Sequence, residues 1–147
     1  VVINRGMGKE VSNNSKVIEE TYNNFFLISG QKPVLTYAKK SISNFKLREG
    51  QVVGCKVTLR SKKMYAFLTK LFYIVAPRIR DFRGFPNGSF DGNGNYTFGL
   101  KEDSIFPEVD TDRVVSMRGL DITICTNTTD DKLARKLLEN LGFPFRK

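Results

Sequence analysis

From Val52 to Arg60 the chain alternates in kind. Val53, Cys55, Val57 and Leu59 fall on one side of an extended backbone, and Gly54, Lys56, Thr58 and Arg60 on the other. Such a segment is stable only as a strand with one face against a core and the other left wet. The same period of two recurs in Tyr96, Phe98 and Leu100, and in Leu120, Ile122 and Ile124 with Asp121, Thr123 and Cys125 opposite. Val1-Val2-Ile3 and Val34 to Tyr37 read as further strands. Helical spacing links Val17, Ile18, Tyr22, Phe25 and Phe26, with Ser15 as N-cap and Gly30 and Pro33 as terminators. It also links Met64, Phe67, Leu68, Leu71, Phe72 and Val75, up to Ala76-Pro77. A last helix is expected from Leu133, Leu137, Leu138 and Leu141 as its apolar face, with Thr129 as N-cap, Asp130 and Asp131 in the first turn and Gly142 past the end. The order β-α-β-β-α-β-β-α predicts an α+β fold of ferredoxin-like (RRM-like) kind. Helices would cover one face of a mainly antiparallel sheet and leave the other open. One domain is expected over residues 1–147.

What the open face meets is indicated by charge. The chain carries 24 Lys+Arg against 15 Asp+Glu, a formal net charge of +9. Gln31 to Arg83 holds 13 basic residues and 2 acidic ones, whereas residues 84–147 hold 8 and 10. Solubilising charge is normally mixed in sign. A one-signed block instead sets up a potential that attracts a polyanion, and RNA or DNA fits better than a membrane because the cations are not gathered on one amphipathic helix.

Several chemistries are excluded or unsupported. With no His, there is no imidazole base or metal ligand. Cys55 and Cys125 are too far apart in sequence for a zinc-finger or CxxC motif. Cys55 alternates with core residues and is expected to be a buried hydrophobe. No phosphate-binding G-x-x-x-x-G-K-[ST] loop occurs. Asp91, Asn93, Asn95 and Glu102 match calcium-loop positions, but Tyr96 stands where such a loop needs Gly. Arg83-Gly84-Phe85 begins like an aromatic RNA-stacking motif and is broken by Pro86. Glu102, Asp103, Glu108, Asp110 and Asp112 could in principle supply an acid/base pair, but an exposed acidic turn accounts for them better, since no pocket or substrate is implied. No cofactor, metal or catalytic residue is expected. The basic stretch offers more: Lys39, Lys40, Lys46 and Arg48 share one loop with Asn44 and Phe45, and Lys56, Thr58 and Arg60 share one strand face.

Collinear strings over essentially the whole chain carry a family likeness. Among them are Val2-Ile3-Asn4-Arg5-Gly6-Met7-Gly8, Ile28-Ser29-Gly30-Gln31-Lys32-Pro33, Gly54-Cys55-Lys56-Val57-Thr58-Leu59-Arg60 and Pro77-Arg78-Ile79-Arg80-Asp81-Phe82-Arg83-Gly84. Phe90-Asp91-Gly92-Asn93-Gly94-Asn95-Tyr96, Ile105-Phe106-Pro107-Glu108, Arg118-Gly119-Leu120-Asp121-Ile122-Thr123-Ile124 and Phe143-Pro144-Phe145-Arg146-Lys147 continue the series. Together they closely resemble the bacterial-type ribosomal protein L5 family.

That resemblance implies a structural protein of the large ribosomal subunit, in the central protuberance, bound to 5S rRNA. It also implies contacts with large-subunit rRNA, P-site tRNA and the small-subunit head, and no membrane or homo-oligomer. Asn4, Gln31 and Thr58 match the family's polar contacts to 5S rRNA, with Lys56 and Arg60 beside them. Ala38 to Gly50 matches its P-site tRNA loop, with Lys39, Lys40, Asn44, Phe45, Lys46 and Arg48 as contributors. The loop from Phe85 to Asn95 resembles the part facing small-subunit protein S13, so Arg78, Arg80, Arg83, Asn87 and Asn93 are expected to serve the bridge or other rRNA. Three features depart from the family pattern. A helical segment of roughly 30 residues normally precedes the first strand; Arg5 stands where an apolar residue is usual; and Phe85-Pro86-Asn87-Gly88 is spelled differently. The expected setting is a ribosome in the plastid stroma or the bacterial cytoplasm, the Asn- and Lys-rich composition slightly favouring the plastid. A non-ribosomal module for structured RNA would share the same surface but lack preference for 5S rRNA.

Overall fold

The computed structural model describes residues 1–6, 15–37, 52–80, 82–101, 105–109 and 119–146. Its strands are β1 (Val2–Gly6), β2 (Val34–Tyr37), β3 (Val52–Thr58), β4 (Tyr96–Leu100) and β5 (Leu120–Ile124). Its α-helices are α1 (Ser15–Ser29), α2 (Ser61–Lys70) and α3 (Asp131–Leu141). The strands form one sheet in the order β2-β3-β1-β5-β4, every pair antiparallel. With β3 inserted between β1 and β2, the unit β1-α1-β2-β3-α2-β5 is a split βαβ arrangement, the ferredoxin-like connection expected from the element order. Strand β4 adds an edge and α3 a third helix.

The alternation does what the sequence pattern asks. Ile3, Cys55, Val57, Leu59, Phe98 and Ile122 point to one side and are buried against Phe25 and Ile28 of α1, Phe67 and Leu68 of α2, and Leu71 just after α2. Arg5 shares that inner side at only 3% exposure. Its guanidinium lies 5.1 Å over the Phe25 ring, and its Nε donates to the Gly119 carbonyl at 3.0 Å. This position therefore buries a long cationic stem on an apolar strand face, with its donor satisfied by the entry to β5.

Helix ends follow local chemistry, with corrections. Gly30 takes φ +71° and its N–H reaches the Phe26 carbonyl, ending α1 as expected. The helix expected to run straight to Ala76 does not. After α2 the backbone widens into a π-turn over Leu71–Val75 and tightens into a 3-10 turn over Ala76–Arg78, where Pro77 removes a donor. The N-cap of α3 is Asp130 rather than Thr129: the Asp130 carboxylate accepts from the Lys132 N–H at 2.9 Å. Its buried side is Leu138, as expected from spacing, together with Ala134, whereas Leu133, Leu137 and Leu141, expected on the same face, are exposed. The small Ala134 lets the helix approach closely, and the leucines lie on the adjoining arc.

The C-terminal Phe143-Pro144-Phe145 segment turns back onto the loop before β4. Phe85 forms a parallel bridge with Phe145, and its ring stacks on Phe143 at 5.0 Å. Phe85 is thus a buried core residue, not an RNA-stacking one. Tyr96 packs against Phe90, Phe143 and Phe145, and its hydroxyl donates to the Pro86 carbonyl. This aromatic knot fixes a long loop that would otherwise be costly to order.

Candidate nucleic-acid interface

Register turns the outer sheet face into cross-strand rows. Lys56 lies opposite Asn4, Asn4 opposite Asp121, and Asp121 opposite Gly99. One step along, Thr58 lies opposite Val2, Val2 opposite Thr123, and Thr123 opposite Thr97. Adjacent strands sit about 4.8 Å apart, so each row presents its groups at a fixed short pitch. Val34 of β2 extends the first row beyond Lys56. No helix covers these residues: Asn4, Lys56, Asp121 and Thr97 are exposed, and Thr58 and Thr123 are half-buried.

The polar atoms here are held ready rather than consumed. Neither the Asn4 carboxamide nor the Thr58 hydroxyl makes a hydrogen bond among the described residues, and Lys56 makes no ion pair among them. Thr97 and Thr123 bond each other, Oγ1 to Oγ1, at 3.1 Å. Gly54 lies in the same surface, and a Cβ there would meet the Arg5 carbonyl oxygen at 2.6 Å and Thr36 Oγ1 at 2.8 Å. Glycine is what lets β2, β3 and β1 approach so closely.

Gln31 joins this face from outside the sheet. Its Nε2 donates to the Thr58 carbonyl at 3.0 Å. Ser29 shapes the turn: its hydroxyl donates to the Phe25 carbonyl at 2.6 Å, with the Gln31 carbonyl 3.0 Å away, and accepts from the Gln31 N–H at 3.2 Å. The end of α1 is thereby tied to the end of β3, which brings Gln31 to Thr58. Arg60, in extended conformation, continues the outward file of Lys56 and Thr58.

Of the expected residues, Asn4, Gln31, Lys56, Thr58 and Arg60 are therefore brought together. Arg78, Arg80 and Arg83 are exposed and belong to the connection that follows α2, none of them on a strand of the sheet. Asn87 is turned to the C-terminal segment, its Nδ2 donating to the Arg146 carbonyl at 2.9 Å. In the loop of Asn93, Asp91 Oδ1 accepts from the Asn93 and Asn95 N–H groups at 2.7 and 3.1 Å, and Oδ2 accepts from Asn95 Nδ2 at 2.9 Å. These bonds hold the Asp91 carboxyl below its ordinary pKa, and the carboxylate is spent on its own turn. Lys39, Lys40, Asn44, Phe45, Lys46 and Arg48 lie outside the described residues, as do Glu102, Asp103, Asp110 and Asp112. Glu108 pairs with Lys70 at 2.9 Å, a structural role. Cys55 is fully buried, and burial pushes its thiol up to about 11.

The sequence reading did not assign Asp121, Thr123 and Thr97 to this site. Their alternation was visible, but only the central position of β1 shows that they share rows with Asn4 and Val2.

A one-faced antiparallel sheet with an uncovered polar surface and a file that includes Lys56 and Arg60 has the chemistry that suits a polyanionic scaffold. Comparison with known proteins makes this specific. Residues 1–48 match the family model described as ribosomal protein L5, and residues 52–145 match the model for the C-terminus of the same ribosomal family. The chain is 56% identical over 147 residues to the large ribosomal subunit protein uL5 of Spiroplasma kunkelii, covering 100% of this chain and 81% of that one. It is 54% identical to uL5 of Acholeplasma laidlawii, with the same coverage. It is 56% identical to uL5 of Wigglesworthia glossinidia brevipalpis, covering 100% of this chain and 82% of that one. The chain belongs to the ribosomal protein L5 family. It is a structural protein of the large ribosomal subunit, not an enzyme.

Proposed function

We propose that the open sheet face holds 5S rRNA within the central protuberance of a bacterial-type ribosome, in a bacterium or a plastid. Asn4, Gln31 and Thr58 would meet ribose and base edges, while Lys56 and Arg60 neutralise flanking phosphates. The observation that carries this reading is the cross-strand row of unpaired polar groups around Asn4, set on a rigid backbone and bordered by cations. Pre-placed groups lose little entropy on binding, so a few of them discriminate shape and sequence, while cations supply salt-dependent affinity.

The remaining partners in this reading rest on the likeness of this chain to its family. The segment with Lys39, Lys40, Asn44, Phe45, Lys46 and Arg48 reaches the P-site tRNA. The loop from Phe85 to Asn95, with Asn87 and Asn93, faces protein S13 of the small-subunit head. Arg78, Arg80 and Arg83 contact large-subunit rRNA or the bridge. The Phe85–Phe145 bridge and the knot around Tyr96 support the second assignment, because a contact between moving subunits needs a loop of fixed shape.

A filter-binding titration tests the central reading. The parent chain should prefer 5S rRNA over other structured RNA of equal length, and Thr58→Ala should weaken that binding by about 1–3 kcal/mol. Equal binding of parent and variant would refute the assignment.

A further inference from the structure

We propose that the RNA surface does not stop at the sheet edge but turns the corner at the end of β3. There Lys62 and Lys63, with Arg60 and Lys32, hold a phosphodiester run that leaves the open face past the first turn of α2. This extension rests on the reading of the open face as an rRNA platform.

The cations are contiguous by construction. Lys56 and Thr58 follow one another on the outward side of β3, Arg60 continues the file in extended conformation just past its end, and α2 begins at the next residue, Ser61. Lys62 and Lys63 occupy the first turn of α2 and are exposed. The Gln31–Thr58 hydrogen bond seats the Gly30–Lys32 turn against the same strand end, adding a cation from the other side. Beyond this corner, between the end of α1 and α2, lies a cleft of about 340 Å³ whose lining is largely apolar, Leu27, Ile28, Ala66 and Phe67, with Lys63 beside them and with Lys70 already committed to Glu108.

These cations are also uncompensated. None of Lys32, Arg60, Lys62 and Lys63 makes an ion pair among the described residues. Elsewhere cations do find acids: Arg135 pairs with Glu139 at 3.0 Å, and Lys70 with Glu108 at 2.9 Å. The first turn of α2 has no acidic residue, so two lysines face the positive end of the helix dipole. That arrangement disfavours the free protein, and a polyanion beside it reverses the sign. RNA is the occupant because the corner continues the cationic file of the platform without a break.

The test is a salt series with the full chain and 5S rRNA. The double variant Lys62→Gln/Lys63→Gln is compared with Lys132→Gln/Lys136→Gln, which removes two exposed cations from α3. The corner variant should lower the slope of log affinity against log salt by about 1.5 to 2, and binding at low salt about tenfold. Hydroxyl-radical protection should be lost only beside the segment bound to the sheet. The α3 variant should behave as the parent, and circular dichroism should show both variants folded. Thr58→Ala, in contrast, should lose affinity at unchanged slope. An unaltered slope in the corner variant, or an equal drop in the α3 variant, would overturn the extension while leaving the open-face reading intact. A parent chain that fails to bind 5S rRNA would overturn both.

Discussion

Gln31 and Thr58, 27 positions apart, are locked together by a 3.0 Å hydrogen bond from the Gln31 carboxamide to the Thr58 carbonyl. The bond uses backbone on the β3 side, so the Thr58 hydroxyl stays free for a ligand.

Gln31→Ala should therefore do two separable things. Loss of the bond to Thr58 should lower stability by about 0.5–1.5 kcal/mol, read by urea denaturation. Affinity for 5S rRNA should fall by more than Thr58→Ser produces, since that change keeps a hydroxyl. A Gln31→Ala chain that melts earlier but binds fully would restrict Gln31 to a structural role.

Ser61 sits at φ +56°, a left-handed conformation that costs a residue with a Cβ about 1–2 kcal/mol. Ser61→Gly removes that cost but adds chain entropy to the unfolded state. A net gain of up to about 1 kcal/mol is expected, seen as a higher urea midpoint at unchanged slope. No gain would mean that the Ser61 backbone carries no appreciable strain.

Asp130 caps α3 through the Lys132 N–H. Asp130→Ala should cost about 1 kcal/mol, whereas Thr129→Ala should cost far less. Thermal melts of the two variants decide between the residues.

Acid should loosen the loop before β4. The Asp91 carboxyl is held below its ordinary 3.8, first by the Asn95 side chain and then by the Asn93 and Asn95 N–H groups. A depressed value means that the order Asp91 imposes is fully present above the ordinary pKa and is lost as pH falls through the lowered one. The amide resonances of Asn93 and Asn95 should hold from neutral pH to about 4 and move only below it. In Asp91→Asn that movement should vanish.

The two thiols should separate cleanly. Cys125 is exposed and Cys55 buried, with the Cys55 thiol raised from 9.0 to about 11 by desolvation, against a smaller opposing effect of Arg5. At pH 8 a disulfide reagent should label Cys125 promptly and Cys55 only as the chain unfolds. Because the folded value is raised, the contribution of Cys55 to stability is present below pH 9.0 and declines as pH climbs toward about 11.

Much of this architecture was legible in the residues themselves. Strands half-buried on one side announce themselves by period two, so β3, β4 and β5 and the outward placing of Lys56, Thr58 and Arg60 could be read locally. Gly30 and Gly142 mark helix ends because a left-handed backbone there costs glycine nothing. The family strings, too, are local.

What the tertiary structure decided is everything that depends on who lies beside whom. Asn4 meets Lys56 and Asp121 because β1 inserts between β3 and β5, a pairing of segments more than 50 residues apart that no local pattern encodes. Ala134 joins Leu138 in facing the core, while Leu133, Leu137 and Leu141 stay exposed, because close approach of a helix rewards a small side chain over a merely apolar one. Arg5 lies beneath the sheet because strand alternation fixes its direction, while Phe25 and the Gly119 carbonyl make its burial tolerable. Sequence period sets the direction in which a side chain points; only packing and register set what it meets.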